Sequence, residues 1–214
     1  MPTETVYGLA ANAYDADACK SIFVCKGRPL TDPLIVHVHS IEQALSLVDH
    51  TESNSVDKIS IFKALASKFW PGPLTIIMKA NLEKIPNLIT ANTGFVGLRM
   101  PNNKIALELM KQSGLPIAAP SANKFGHVSP SKAEHVYNDF YLDSEVTILD
   151  GGACTFGIES TVLKIEEGEE AESFRLHIFR KGGISEKALW ETVMSKELDK
   201  KYKMEIKSKL HKDF

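Results

Sequence analysis

No apolar run in this sequence approaches the roughly 20 residues a membrane helix requires, and the opening MPTETVYGLAA has neither the basic start nor the long apolar core of a secretory signal. Neither a membrane anchor nor an export signal is expected, and a cytoplasmic protein is. Cysteine is scarce. Cys19, Cys25 and Cys154 form no CxxC pair and leave an odd count, which argues against a disulfide framework and against a thiolate zinc site. An excess of charge is also missing: 25 Lys and Arg face 27 Asp and Glu, a formal net charge of -2. Global attraction to nucleic acid or to an anionic membrane is thereby excluded, and any polyanion must be met by a local patch. Neither GxxxxGK[ST] nor GxGxxG occurs, so a nucleotide would be bound in some other way. There is no internal repeat and no low-complexity segment.

What the sequence does contain is 214 residues, 43% of them hydrophobic, enough for a sizeable core in one domain. Helical and extended patterns alternate, which predicts an α/β fold. Helices are expected near 15–24, 41–48, 54–69, 102–113, 131–139 and 185–194. Start signals support several of them: Asn102 before KIALELM with Gly114 at the stop, Ser131 with Glu134 as a capping box, and Ser185 before EKALWETV. Strands are expected at 34–38, 74–78, 95–100, 116–119, 146–149, 160–165 and 176–180, all rich in β-branched residues. The acidic run EEGEEAE reads as a solvated hairpin loop between the last two. Residues 1–194 form the expected domain. Residues 195–214, with seven lysines, read as a polar helix or loose tail without a core of its own.

Polar clusters punctuate the strand ends: TETVYG, KGRPLTDP, LRMP, PSANKFGHVSPS, GGACTFGIEST and FRKGG. Ligands of open α/β sheets collect beyond strand ends, where loops converge and backbone amides are free. Lys26 and Arg28 flank Gly27 in a proline-stiffened loop, and Arg99 and Arg180 each close a strand. Guanidinium forks match phosphate and carboxylate oxygens, and the hydroxyls of Ser121, Ser129, Ser160 and Thr161 complete a cradle for a small polyanion. Stretch 119–131 reads as a rigid ligand loop, because its prolines and Gly126 fix a turn that presents Ser121, Asn123 and Ser129. Two further constellations are weaker. His37 and His39 share a strand face but have no third metal ligand, and Ser121 with Lys124, or Cys25 with a histidine, lacks the orienting partner of a nucleophile pair.

In this order and spacing, PTETVYGL, KGRPLTDPLIVHV, FWPGPLT, VGLRMP, APSANKFGHVSPS and GIESTV resemble the YrdC/Sua5 family, the L-threonylcarbamoyladenylate synthases. The resemblance runs from residue 2 to about residue 184. It implies a single YrdC-like domain, in which helices flank a strongly twisted mixed β-sheet around a concave positive cavity. It also implies an enzyme, a nucleotidyltransferase that makes threonylcarbamoyl-AMP and pyrophosphate from ATP, L-threonine and bicarbonate, with Mg2+ accompanying ATP. A downstream threonylcarbamoyl-transferase complex then modifies adenosine 37 of tRNA. Carried over by position, Thr5, His37, Arg99, Ala119 and Ser160 fall on the threonine side. Lys26, Arg28, Asp32, Phe95, Ser121, Asn123, Ser129 and Arg180 fall on the nucleotide side, with Lys26 and Arg28 as the catalytic cations.

Departures from the family pattern carry their own expectations. Asp32 stands where the family usually has Asn, and a carboxylate beside phosphates needs neutralising. Bridging Mg2+ is the expected partner, and pairing with Lys26 or Arg28 is the alternative. Family members usually carry a further segment with a strand before PTET; if Met1 marks a truncation or an early start, reduced activity with a surviving fold is the expectation. The competing class is a non-catalytic YrdC-like module that binds double-stranded RNA or tRNA weakly through a concave basic surface. A carbamoyl-transfer module of the hydrogenase-maturation type is disfavoured, because the accompanying zinc-finger and acylphosphatase-like segments are absent.

Overall fold

A computed structural model describes residues 1–51, 55–143 and 145–208. Eight strands form one mixed sheet: β1 (Ala11–Asn12), β2 (Ile35–His37), β3 (Leu74–Lys79), β4 (Phe95–Arg99), β5 (Ile117–Ala118), β6 (Thr161–Glu167), β7 (Ser173–Arg180) and β8 (Lys203–Ser208), in the order β1-β5-β2-β4-β3-β6-β7-β8. The helices are α1 (Ala16–Lys26), α2 (Ile41–Ser46), α3 (Ser55–Phe69), α4 (Lys104–Ser113), α5 (Ala133–Phe140), α6 (Glu186–Ser195) and α7 (Leu198–Lys201). The expected α/β class is thus observed. The expected helix from 54 begins at Ser55, and Asn54 lies outside the described residues.

The central strands β2, β3 and β4 bury one face, with Val36, Ile76 and Leu98, while Ile35, Ile77 and Gly97 on the other are only half-buried. Val36, Ile76, Leu98 and Leu163 meet Ile61, Phe62 and Leu65 of α3 in the main core, with Trp70 edge-on to Phe62 at 5.3 Å. Helix ends follow local chemistry. The Asp15 carboxylate accepts from the amides of Asp17 and Ala18, and Gly27 ends α1 at φ 65°, a conformation that costs glycine little. Ser185 caps α6 as expected.

Four readings need correction. Asn103, not Asn102, caps α4 through its side chain. The capping box at Ser131 does not form: Lys132 holds the cap position without a side-chain bond, and the Ser131 amide donates to His135 Nδ1 instead. Residues 146–149 are irregular. Their β-branched side chains line an apolar groove with Met1, Leu9 and Ala11, but no described strand pairs with them, and without a ladder the backbone has no reason to be regular. The lysine-rich segment is not a loose tail over its described part. Leu198 and Tyr202 are buried, Tyr202 packs edge-on against Phe174 at 5.0 Å and donates to Asp57 at 2.6 Å, and β8 pairs in parallel with β7 from Ser173↔Lys203 to Ile178↔Ser208. Residues 209–214 lie outside the described residues. Residues 168–172 of the acidic run form the expected turn of the antiparallel β6–β7 hairpin, while Glu166 and Glu167 pair within β6.

Candidate functional site

The sheet places polar side chains at one of its ends. β2 and β4 run parallel with His37 opposite Arg99, Val162 of β6 faces Arg180 at the end of β7, and Leu74 of β3 faces Thr161. Ser160, just before β6, hydrogen-bonds Thr75 between side chains at 2.8 Å. Around this end lies a cavity of about 520 Å3, counting its open mouth. Its wall includes Thr3, Thr5, Tyr7, Gly8, Arg28, His37, Arg99, Ala119, Ser121, Glu159, Ser160 and Arg180. Eight expected residues, Thr5, Arg28, His37, Arg99, Ala119, Ser121, Ser160 and Arg180, are therefore brought together.

One part of this wall is dry. Arg99 and Glu4 are buried, with Nη2 and Oε1 2.7 Å apart, yet the alignment is not that of a hydrogen bond, and both Glu4 oxygens and Arg99 Nη2 have no hydrogen-bond partner. His37 Nδ1 is likewise buried and unpartnered. Burial, and then the Arg99 charge, pull the His37 imidazole down to about 3, so the ring is neutral. Thr3 and Thr5 share a hydroxyl contact of 2.9 Å beside it. Buried polar groups without partners cost free energy, and a small ligand with carboxylate, amine and hydroxyl groups could satisfy them.

A second part of the wall is cationic. Arg28 donates through Nε to the Asp32 carbonyl and through Nη2 to the Pro33 carbonyl, which fixes its loop. Arg180 donates to the carbonyl and the hydroxyl of Ser160, both at 3.0 Å. Burial holds both guanidinium groups below their ordinary range. Gly182 lets this corner close, because a Cβ there would stand 2.3 Å from the Glu159 carbonyl oxygen.

The other expected residues lie elsewhere. Lys26 is buried behind the wall, where its ammonium donates to the carbonyls of Ser121 and Asn123 and so ties α1 to the ligand loop. Burial, and then Arg28, pull it down to about 8. Asn123 folds that same loop, donating to the carbonyls of Lys124 and His127. Ser129 donates to Glu159 at 2.9 Å. Asp32 turns to Arg28, 3.7 Å away, which is the alternative arrangement expected for it. Phe95 is not at the cavity. It opens β4 at the opposite end from Arg99, roughly 13 Å away along the strand, where Lys164 sits over its ring at 3.8 Å. Lys124 is no partner for Ser121, since it is held by the Cys25 carbonyl and Asp143. Among the described residues no third His, Cys, Asp or Glu joins His37 and His39 in a metal-ligating group. Glu4, Tyr7 and Glu159 were not singled out in the sequence, although TETVYG and GIEST were. Their signal was position within those clusters.

The pattern of the Sua5/YciO/YrdC family, described as "Telomere recombination", matches residues 1–182. Threonylcarbamoyl-AMP synthase of Pyrococcus abyssi is 47% identical over 78% of this chain and 46% of its own length, and that of Bacillus subtilis is 42% identical over 94% and 54%. Among solved structures, P. abyssi Sua5 complexed with L-threonine superposes with a TM-score of 0.77 at 42% identity, covering 90% of this chain and 52% of that one. Escherichia coli YciO, at 19% identity and a TM-score of 0.67, shares the fold. The chain spans about half the length of the first two relatives.

Proposed function

Since the chain belongs to the Sua5/YciO/YrdC family, we propose that it is an L-threonylcarbamoyladenylate synthase, a nucleotidyltransferase acting on ATP, L-threonine and bicarbonate. The observation that carries this reading is the single cavity with two chemistries. Its dry part offers Arg99, a neutral His37 and the Thr3–Thr5 hydroxyls to an amino acid, and its cationic part offers Arg28 and Arg180 to phosphates. Threonine named in the complex of the P. abyssi relative matches the first part.

The reaction needs no covalent enzyme group. Bicarbonate takes up a proton and loses water to give CO2, the threonine amine adds to the CO2 carbon, and the nitrogen releases a proton to solvent, which balances the one taken up, to leave a carbamate. A carbamate oxygen then bonds to the α-phosphorus of ATP as the bond to the bridging oxygen of the β-phosphate breaks, and pyrophosphate departs. Arg28 and Arg180 stabilise the charge that grows on pyrophosphate, and Arg99 holds the threonine carboxylate, so catalysis is positioning and electrostatics. Lys26 acts from behind, by holding the Ser121–Asn123 backbone and contributing positive potential. Mg2+ would arrive with ATP and neutralise phosphate charge. One or two carboxylates suffice for such an ion, and Asp32, with a side chain 40% exposed, would swing from Arg28 to meet it. The product would be consumed by a threonylcarbamoyl-transferase acting on tRNA.

Incubation with ATP, threonine and bicarbonate, followed by mass detection of threonylcarbamoyl-AMP, tests the reading. Product and pyrophosphate should appear only when all three substrates are present. Pyrophosphate release that persists without threonine or bicarbonate would refute it.

A further inference from the structure

One carboxylate sits where the cavity is built to receive an anion. Glu159 lines the wall directly before Ser160. Its Oε1 accepts from the Ser129 hydroxyl at 2.9 Å, and its Oε2 lies 3.4 Å from Arg180 Nη2. Its charge is also felt at Lys26 and Arg28. The hydroxyl and the guanidinium that a phosphate would use are thus both engaged by a side-chain anion of the protein itself.

We propose that Glu159 fills the polyphosphate seat of the ligand-free protein and must be displaced when the phosphates enter, a specificity role that rests on the reading of the cationic part as a nucleotide-phosphate subsite. Two features support displacement over a fixed structural pair. The carboxylate is one-third exposed, so it can turn to water without leaving a buried charge unpaired. The apolar side chains beside it in the chain, Phe156 and Ile158, are half exposed, so a turn of the carboxylate displaces little packed apolar surface. The pairing with Arg180 has a use of its own. Until phosphates enter, Glu159 keeps the guanidinium aimed at the cavity and balances the positive cluster. An entering anion exchanges one carboxylate for several phosphate oxygens. An anion that reaches only the dry part, around Arg99, need not move it.

Calorimetric titration with inorganic tripolyphosphate, without Mg2+, separates this from the alternatives. Glu159→Gln keeps shape and an oxygen for Ser129 while removing the charge, and should bind tripolyphosphate at least about fivefold more tightly than the wild type. The advantage should shrink as salt is raised, since the term removed is a like-charge repulsion in a partly exposed site. Glu159→Ala should change affinity in the same direction, and unchanged thermal unfolding midpoints would show both variants folded. Equal or weaker binding by both variants, or no binding by any of the proteins, overturns the proposal. Should the wild type fail to form threonylcarbamoyl-AMP while the Gln variant still gains tripolyphosphate affinity, the functional reading falls and the seat stands.

Discussion

Arg99 and Arg175 are both strand arginines facing a glutamate, and they sit in opposite surroundings. Arg175 on β7 donates to Glu205 on β8 at 2.8 Å, on a sheet flank where Lys203–Glu170 and Lys207–Glu205 are further pairs in water. Arg99 on β4 and Glu4 approach more closely but are buried and imperfectly aligned. The exposed pairs have good geometry and little to gain, because water serves each partner almost as well. The buried pair has poor geometry and much at stake, because apart from the Gly72 carbonyl that accepts from Arg99 Nε at 3.3 Å its charges are shielded from water. Under-satisfied charge in a buried place marks a candidate ligand contact, whereas a well-formed surface pair calls for no ligand.

The largest effect that could break this contrast is loss of Arg99. Arg99→Ala strands the Glu4 carboxylate, and unfolding by urea should show a loss of about 3–5 kcal/mol, along with threonine binding. Arg175→Ala should leave the denaturation midpoint unmoved. Equal shifts in the two variants would dissolve the distinction. A middle-sized effect concerns Lys26, the buried cation whose described partners are carbonyls. Its proton is lost as pH rises through about 8, so nucleotide affinity should fall across that range, and Lys26→Arg should flatten the profile. The linked stability runs the other way. The folded form releases the proton before the unfolded one, so on this residue's account stability rises with pH from about 8 to 10.5. The smallest effect is at the exposed rim. Asp32→Asn should improve ATP binding a few-fold at low Mg2+ and lose the advantage at high Mg2+. Superimposable Mg2+ titrations would mean that Asp32 stays with Arg28.

The same contrast explains what could be read from the amino-acid order. Strand-end arginines, the hydroxyl-rich loop after β5 and the apolar central strands follow from side-chain type and spacing, and the structure brings Arg99, Arg180 and Ser121 to one cavity. Three kinds of feature do not follow. A segment such as 146–149 has strand composition, but strand formation is a property of a pair. Conversely, β8 alternates Lys, Glu and Lys at its exposed positions, which looks like a tail until Tyr202 is seen buried beneath it. The roles of Lys26 and Glu159 depend on which neighbours face them. A lysine in a basic motif suggests a ligand contact, yet Lys26 serves the loop backbone. A glutamate within a cationic cluster is passed over when only matching charge is sought.

The tether from Lys26 to the carbonyls of Ser121 and Asn123 has a further consequence, in entropy. A loop that took shape only around its ligand would surrender chain freedom at each encounter, at roughly 1–2 kcal/mol for every residue ordered. Here that freedom is given up once, during folding, by a side chain from a helix far away in the chain. A ligand that used this loop would meet Ser121 already in place, and the cost of order would fall on the stability of the protein and not on the affinity of the site.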